Sequence, residues 1–319
     1  MSRYIVRRLG YLLPVWLGIS LLAYALANIA PGDPAYIILR RQTGEVPSDQ
    51  AVQELRAQLG LNDPFPVRYG RWVLGAVRGD LGTSYRTGEP VSRALADRFV
   101  ATLQVGVAAL VIGVVVAVPL GIVSAVRRDG PLDHASRLLA LLGASMPSFW
   151  LGYVLIIVFA VWLRLLPVAG YGDLPHLALP ALTLGLGAAA SLTRLTRASL
   201  LEVLDEDFVR TARAKGLSER TAVVRHALRS ALIPITTIVG MRFGHLLAGA
   251  VIVETVFAWP GIGKYVVDSI YDRDYPTIQG FVLFMGTVFV LLNLAVDLSY
   301  VWLDPRVRLG GQQAGRGAS

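Results

Sequence analysis

Six stretches of the chain run for 20 to 28 residues with almost no charge: residues 9–32, 99–126, 138–163, 174–193, 230–253 and 275–296. A helix that crosses the hydrocarbon core of a bilayer needs about 20 mainly apolar residues, so each run is long enough. Arg242 alone interrupts the fifth. The fourth is the weakest, because Pro175 and Pro180 trim its start and Gly185 and Gly187 loosen it. A buried helix of a soluble protein explains one such run. Six together predict an all-α integral membrane protein with six transmembrane helices.

The polar flanks give the orientation. Arg3, Arg7 and Arg8 precede the first run, and Arg127, Arg128 and Arg137 bound the connection between the second and third. Arg194, Arg197 and a denser basic stretch join the fourth to the fifth, and Arg306 and Arg308 follow the sixth. If all six runs span, these arginines share one side, which is the cytoplasmic one. Both termini are then cytoplasmic. Residues 31–98 mix nine arginines with eight acids, but long loops cross largely regardless of charge. This segment reads as an external subdomain. Within it Ser48 is placed to cap a helix with Val52, Leu55 and Leu59 on one face, closed by Gly60, and "LNDPFP" reads as a turn cluster. Ala25-Leu-Ala27 resembles a signal-peptide cleavage triplet. The apolar run before it exceeds the roughly 7–15 residues of a signal core, which favours an uncleaved first span.

Composition agrees. The 319 residues are 54% hydrophobic and 16% charged, against about 25% charged in a typical soluble domain. There is no cysteine, so disulfides and thiolate metal sites are excluded. The four histidines lie far apart, which argues against a metal site. The net charge of +8 sits on the membrane flanks, so it points to a bilayer surface and not to nucleic acid.

The connection over residues 194–229 is long for a compact protein and carries helical pattern. Leu201, Leu204, Phe208 and Ala212 fall on one helical face, with Asp205, Glu206 and Asp207 starting the polar side. Lys215-Gly216 reads as a helix C-terminus and Ser218 as the cap of a second helix. Val223, Val224, Ala227 and Leu228 form that helix's apolar side, which runs to Pro234 at the membrane entry. The pattern alone suits either an interfacial amphipathic hairpin held by anionic lipid or a docking element for a protein partner.

The wording of this segment, "RTARAKG…RHALR", resembles the EAA loop of permease subunits of binding-protein-dependent ABC importers. Arg210, Thr211 and Ala212 occupy the EAA positions and Gly216 the glycine position. The usual glutamate is Arg210 and the usual Leu-Pro is Leu228-Arg229; both departures are similar to the peptide and nickel branch of the family. "APGDP" (from Ala30), "GDLGTSY" (from Gly79) and "ETVFAWPGIGKYVVDSIYDRDYPTIQG" (from Glu254) resemble other parts of the same branch.

The resemblance implies a type I importer permease core with an N-terminal span and an external subdomain. The expected division is residues 1–96 for the span and subdomain, 97–304 for the core, and 305–319 for a cytoplasmic tail. It implies half of a translocation pathway in a bacterial inner membrane, for a di- or oligopeptide-like substrate. Nickel chelates and glutathione are the alternatives within the family. The implied partners are a second permease subunit, two cytoplasmic ABC ATPases and an external substrate-binding protein. Arg210, Thr211, Ala212, Lys215, Gly216 and Leu217 would then form the ATPase-coupling loop.

No catalytic arrangement or cofactor site is legible. "PGIGKY" departs from a phosphate-binding loop, since position 258 is alanine and position 265 is tyrosine. Arg242 lies mid-run, where a cation costs about 2.5–3.5 kcal/mol on insertion scales, and His245 shares its face. The pair either lines the pathway or forms a clamp, with Arg242 bonding backbone carbonyls or Asp297. Gly240-x-x-x-Gly244 is a helix-packing pattern. Glu254, ending the fifth run, reads as a contact for an external partner or as a solvated helix-end acid. An ion-driven secondary transporter would need acidic residues within the spans, and none occupies the middle of a run.

Overall fold

The computed structural model describes residues 2–29 and 32–303, and leaves undescribed the side chains of residues 2–9, 11, 12, 233, 237 and 297–303. The expected tail, Arg306, Arg308 and the start of "APGDP" lie outside the described residues. Among those described the chain is helical, with one isolated antiparallel bridge between Thr83 and Pro90. The helices are α1 (Ser2–Ile29), α2 (Pro34–Thr43), α3 (Asp49–Gln58), α4 (Phe65–Val77), α5 (Val91–Val126), α6 (Pro131–Ser145), α7 (Ser148–Leu155), α8 (Leu174–Leu204), α9 (Asp207–Ala214), α10 (Glu219–Thr221), α11 (Leu228–Val256), α12 (Ile262–Tyr271) and α13 (Tyr275–Leu303). Wide π-type turns continue α7 over Ile156–Trp162 and join α10 to α11 over Ala222–Ala227.

Among the described residues four helices are long and apolar enough to cross a membrane by themselves, and up to six spans result if each of two bent pairs counts as one. The third run is not straight. α6 and α7 meet at 107°, because Pro147 forces Met146 into extended backbone (φ −78°, ψ 127°). The first run bends by 64° into α2, whose start is capped by the Asp33 carboxylate accepting from Ala35 N–H. The fourth run corrects the sequence reading. α8 runs unbroken through Pro180, Gly185 and Gly187, and more of it is buried than of the other three spans. Pro175 sits in the first turn, where its missing N–H costs nothing. Gly185 is a close-approach site: a Cβ there would lie 2.8 Å from the Ala109 carbonyl of α5.

The chain divides into two compact units. The first comprises residues 1–101 and 261–292. Ser48 Oγ accepts from Ala51 N–H and Gly60 adopts φ +66° after α3, as the capping pattern requires. Tyr24 of α1 packs against Phe65 and Trp72 of α4, with ring centroids 5.5 and 5.4 Å apart. Asp274 is fully buried. Its carboxylate accepts from Ser84 Oγ at 2.5 Å, Tyr85 N–H at 2.9 Å and Thr277 Oγ1 at 2.8 Å. Burial first, and then the nearby Asp274 charge, push the Tyr85 phenol up to about 12. "PGIGKY" forms the entry to α12, and Lys264 pairs with Asp268 at 2.7 Å.

The second unit comprises residues 102–260 and 293–319. α8 is its axis and packs chiefly on α11 and α6. Small residues allow the close contacts: a Cβ on Gly121 would meet Thr196, and one on Gly143 would meet Ala190. Asp133 is fully buried at the start of α6. It takes a two-pronged bond from Arg197 of α8, at 2.8 and 2.7 Å, plus bonds from Ser124 Oγ and Asp129 N–H. Arg197 therefore is not a free flanking charge.

Candidate functional site: the basic corner between α9 and α10

The corner begins where α8 stops. The expected stripe of Leu201, Leu204, Phe208 and Ala212 on one continuous helix does not form. α8 ends at Leu204 with Asp205 as its C-cap, Glu206 turns to extended backbone (φ −71°, ψ 148°), and α9 starts at Asp207. The break changes the phase. Val209 and Ala212 become the buried face, packed with Ala125, Leu200, Val223, Ala227 and Ala231, while Phe208 is 45% exposed. Asp207 then suits the positive N-terminal end of α9 and lies 3.6 Å from Arg210.

The C-terminus of α9 is a full glycine stop. Gly216 has φ +84°, its N–H bonds the Arg213 carbonyl at 2.9 Å, and Leu217 N–H bonds the Ala212 carbonyl at 3.3 Å. Ser218 Oγ accepts from Thr221 N–H at 3.4 Å. A fork bond from Arg213 to Glu219, at 3.0 and 2.7 Å, ties the two arms. The Arg213 bond holds the Glu219 carboxyl below the usual carboxylate range and raises the Arg213 guanidinium in turn. The second arm also departs from expectation. The π-type turn rotates the register, so Val223 and Ala227 stay buried but Val224 turns out to 55% exposure. From Glu219 the helix continues without a gap into α11 and past Pro234 to Val256.

The structure thus gathers Arg210, Thr211, Lys215, Gly216 and Leu217 on an exposed corner, with Ala212 as its buried anchor. No Cβ clash guards Gly216, since nothing lies within 4 Å of that direction. The corner is a cationic knob with two exposed apolar side chains, Phe208 and Leu217.

The other sequence-derived residues lie elsewhere. Arg242 and His245 sit on α11, exposed in the isolated chain, with His245 Nδ1 3.3 Å from the Met241 carbonyl. The Asp297 side chain of the expected clamp lies outside the described residues. Gly240 faces Val296 of α13, 3.3 Å from where its Cβ would be, as a packing glycine does. Glu254 corrects the sequence reading: it is fully buried and accepts from Thr102 Oγ1 at 2.5 Å, so it offers no external contact in this conformation. The helix that ends at Val256 turns back through Trp259, whose N–H bonds the Glu254 main-chain carbonyl at 2.8 Å. Sequence reasoning missed the Asp133–Arg197 pair. Its only sequence signal is an acid in the first turn of α6, and the partner is 64 residues away. Among the described residues no group of three or more His, Asp or Glu is placed to hold a metal ion.

The family model described as "Binding-protein-dependent transport system inner membrane component" matches residues 117–309, and the N-terminal model of the same kind of membrane component matches residues 1–106. The dipeptide transport system permease protein DppB of Escherichia coli (strain K12) is 40% identical, covering 97% of this chain and 99% of that protein. The glutathione transport system permease protein GsiC of the same strain is 42% identical, with the same coverage. Among solved structures, inward-facing conformations of the MetNI methionine ABC transporter align over 68% of this chain and 99% of that chain. The TM-score is 0.57 at 22% identity, a likeness of fold. The family implies ATPase and binding-protein partners. The chain belongs to the family of binding-protein-dependent transport system inner membrane components, as a non-catalytic, multi-pass permease subunit of an ABC importer in its DppB- and GsiC-like branch.

Proposed function

We propose that the chain forms half of the translocation pathway of a short-peptide importer and is driven through the α9–α10 corner. The observation that carries this is the corner's construction. A basic, partly apolar knob stands on a fully buried base of Val209, Ala222 and Ala227, and its two arms are locked by a glycine stop and the Arg213–Glu219 fork. A hairpin that only rests on lipid needs no such cross-bracing, which suits an element that moves as a unit. Arg210, Thr211, Lys215, Gly216 and Leu217 seat in a groove of a cytoplasmic ATPase, and an acidic groove rim complements the surrounding cations. ATP binding draws two ATPases together, the corner follows, and α11, continuous with it, reorients. No chemistry is asked of this chain.

A second permease subunit supplies the other half of the path, and an external binding protein delivers the peptide. Residues 1–96 act as span and external subdomain, 97–304 as the moving core, and 305–319 as a cytoplasmic tail, so both termini face the cytoplasm. Arg242 and His245 line the path. The two named relatives carry dipeptides and glutathione respectively, and both are short peptides, which supports the substrate class. The test is reconstitution in proteoliposomes with ATPase, second permease and binding protein. ATP-dependent dipeptide uptake that requires the binding protein is expected. Uptake by this chain alone on an ion gradient refutes the proposal.

A further inference from the structure

The first unit contains a cavity of about 660 Å³ that the corner mechanism does not use. Its size falls within the roughly 300–1,000 Å³ of small-molecule sites. One wall is aromatic, from Tyr24 and Trp72, in a cluster where Tyr24 also touches Phe65 and Tyr69. Three arginines line it, and two are already answered: Arg56 pairs with Asp33 and Arg71 with Asp63, both at 2.7 Å. The third, Arg68, is half-buried and makes no ion pair or hydrogen bond among the described residues. Its Nε is buried with no acceptor, and so is the indole N–H of Trp72, one helical turn along α4. Buried donors are nearly always bonded, and leaving one without an acceptor is costly. Two unanswered donors on one helix face, lining one cavity, call for an anionic acceptor.

The opposite sign is present as well. Asp80 lines the same cavity. One of its oxygens accepts from Gly82 N–H at 2.9 Å, and it forms no ion pair among the described residues. One open cation, one open carboxylate and an aromatic wall match a small zwitterion with an apolar body.

We propose that this cavity is a binding site for a free short peptide. Arg68, with Trp72 beside it, takes the C-terminal carboxylate in a charge-assisted bond. Asp80 takes the terminal ammonium, and the Tyr24–Trp72 wall packs the side chain. This rests on the peptide reading above and adds a cargo site within the first unit of the permease itself.

The test uses the assembled transporter in nanodiscs without binding protein, and measures equilibrium binding of radiolabelled Ala-Phe, its C-terminal amide and its N-acetyl form. The free dipeptide is expected to bind about tenfold tighter than either blocked form, the usual worth of one charge-assisted contact. Arg68→Gln should abolish the acid-over-amide preference and leave the preference against N-acetylation. Asp80→Asn, which can still accept from Gly82 N–H, should do the reverse. Arg68→Lys should keep part of the carboxylate preference, and Trp72→Phe, which keeps the ring, should weaken it. Each variant is checked for assembly by gel filtration. Equal binding of the three ligands by the wild type overturns the proposal, as does wild-type discrimination in both charge variants. ATP-driven dipeptide uptake with the binding protein is measured in parallel. If uptake occurs while the cavity fails to discriminate, this site alone is refuted; if no uptake occurs, the peptide reading falls and the site with it.

Discussion

Replacing Gly216 with valine isolates the corner's role. Gly216 holds φ +84°, and a Cβ there would touch nothing within 4 Å. The penalty is therefore conformational and not steric crowding by neighbours. A left-handed residue other than glycine costs about 1–2 kcal/mol, and a β-branched one is a worse outlier. A cost of that size shifts the population of the formed corner by about 5–30-fold. It also loosens the bonds from Gly216 N–H and Leu217 N–H that stop α9. The buried base of Val209, Ala222 and Ala227 is untouched, so membrane insertion should persist. In proteoliposomes Gly216→Val should still hydrolyse ATP but move several-fold less peptide per ATP. Gly216→Asn should retain most coupling, because asparagine tolerates the left-handed region. The readouts are peptide transported per ATP hydrolysed and co-purification of the ATPase. A Gly216→Val transporter with the wild-type ratio refutes the lever, and the segment becomes a lipid-bound hairpin.

Arg242→Ala should lower substrate-dependent transport in the reconstituted complex while leaving assembly intact; normal transport sinks its place in the path. Arg197→Ala strands the buried Asp133 carboxylate and should cost about 3–5 kcal/mol, read as a lower thermal midpoint of the purified transporter. The pair of changes Arg197→Gln with Asp133→Asn should recover part of that loss, which a packing defect alone would not allow. The Arg213–Glu219 fork should be pH-sensitive only in acid. Glu219 is depressed in the folded state, so its contribution is complete above the ordinary carboxylate range, near about 4.3, and is lost as pH falls through the lowered value. Because both side chains are exposed beyond a third, the effect on stability should be small. Amide protection factors at Gly216 and Leu217, corrected for the pH dependence of intrinsic exchange, should be flat between neutral and mildly acidic pH and fall below that range, while Glu219→Gln shows the lower protection already at neutral pH.

Much of the site was legible because its signals are local. A glycine after a lysine, a serine two residues on and a glutamate next to it encode a helix stop and a helix start within the span of a few bonds. The same holds for Ser48 and Gly60 around α3. Errors arose where phase accumulates. Treating residues 201–212 as one helix put Phe208 inward; the break at Asp205-Glu206 put Val209 there instead. Treating residues 223–228 as regular put Val224 inward; one wide turn moved it out. A periodicity argument survives only as far as the helix stays continuous and regular.

Charge and apolar run length, summed over 20 or more residues, determined by themselves that the chain is a helical membrane protein, and local cap chemistry determined the two-armed corner. Those quantities depend on the chain's own neighbours and on the solvent, so sequence suffices. Which side chains satisfy one another was decided only by the tertiary structure. Glu254 looked like a surface acid or an external contact until α5 brought Thr102 to it. Arg197 looked like a flanking charge until α6 brought Asp133 to it. Gly185 looked like a weak point in a span until α5 was found lying against it. In each case the partner is tens of residues away or set by the path of a turn, and a buried charge or a missing Cβ acquires its meaning only from what is packed against it.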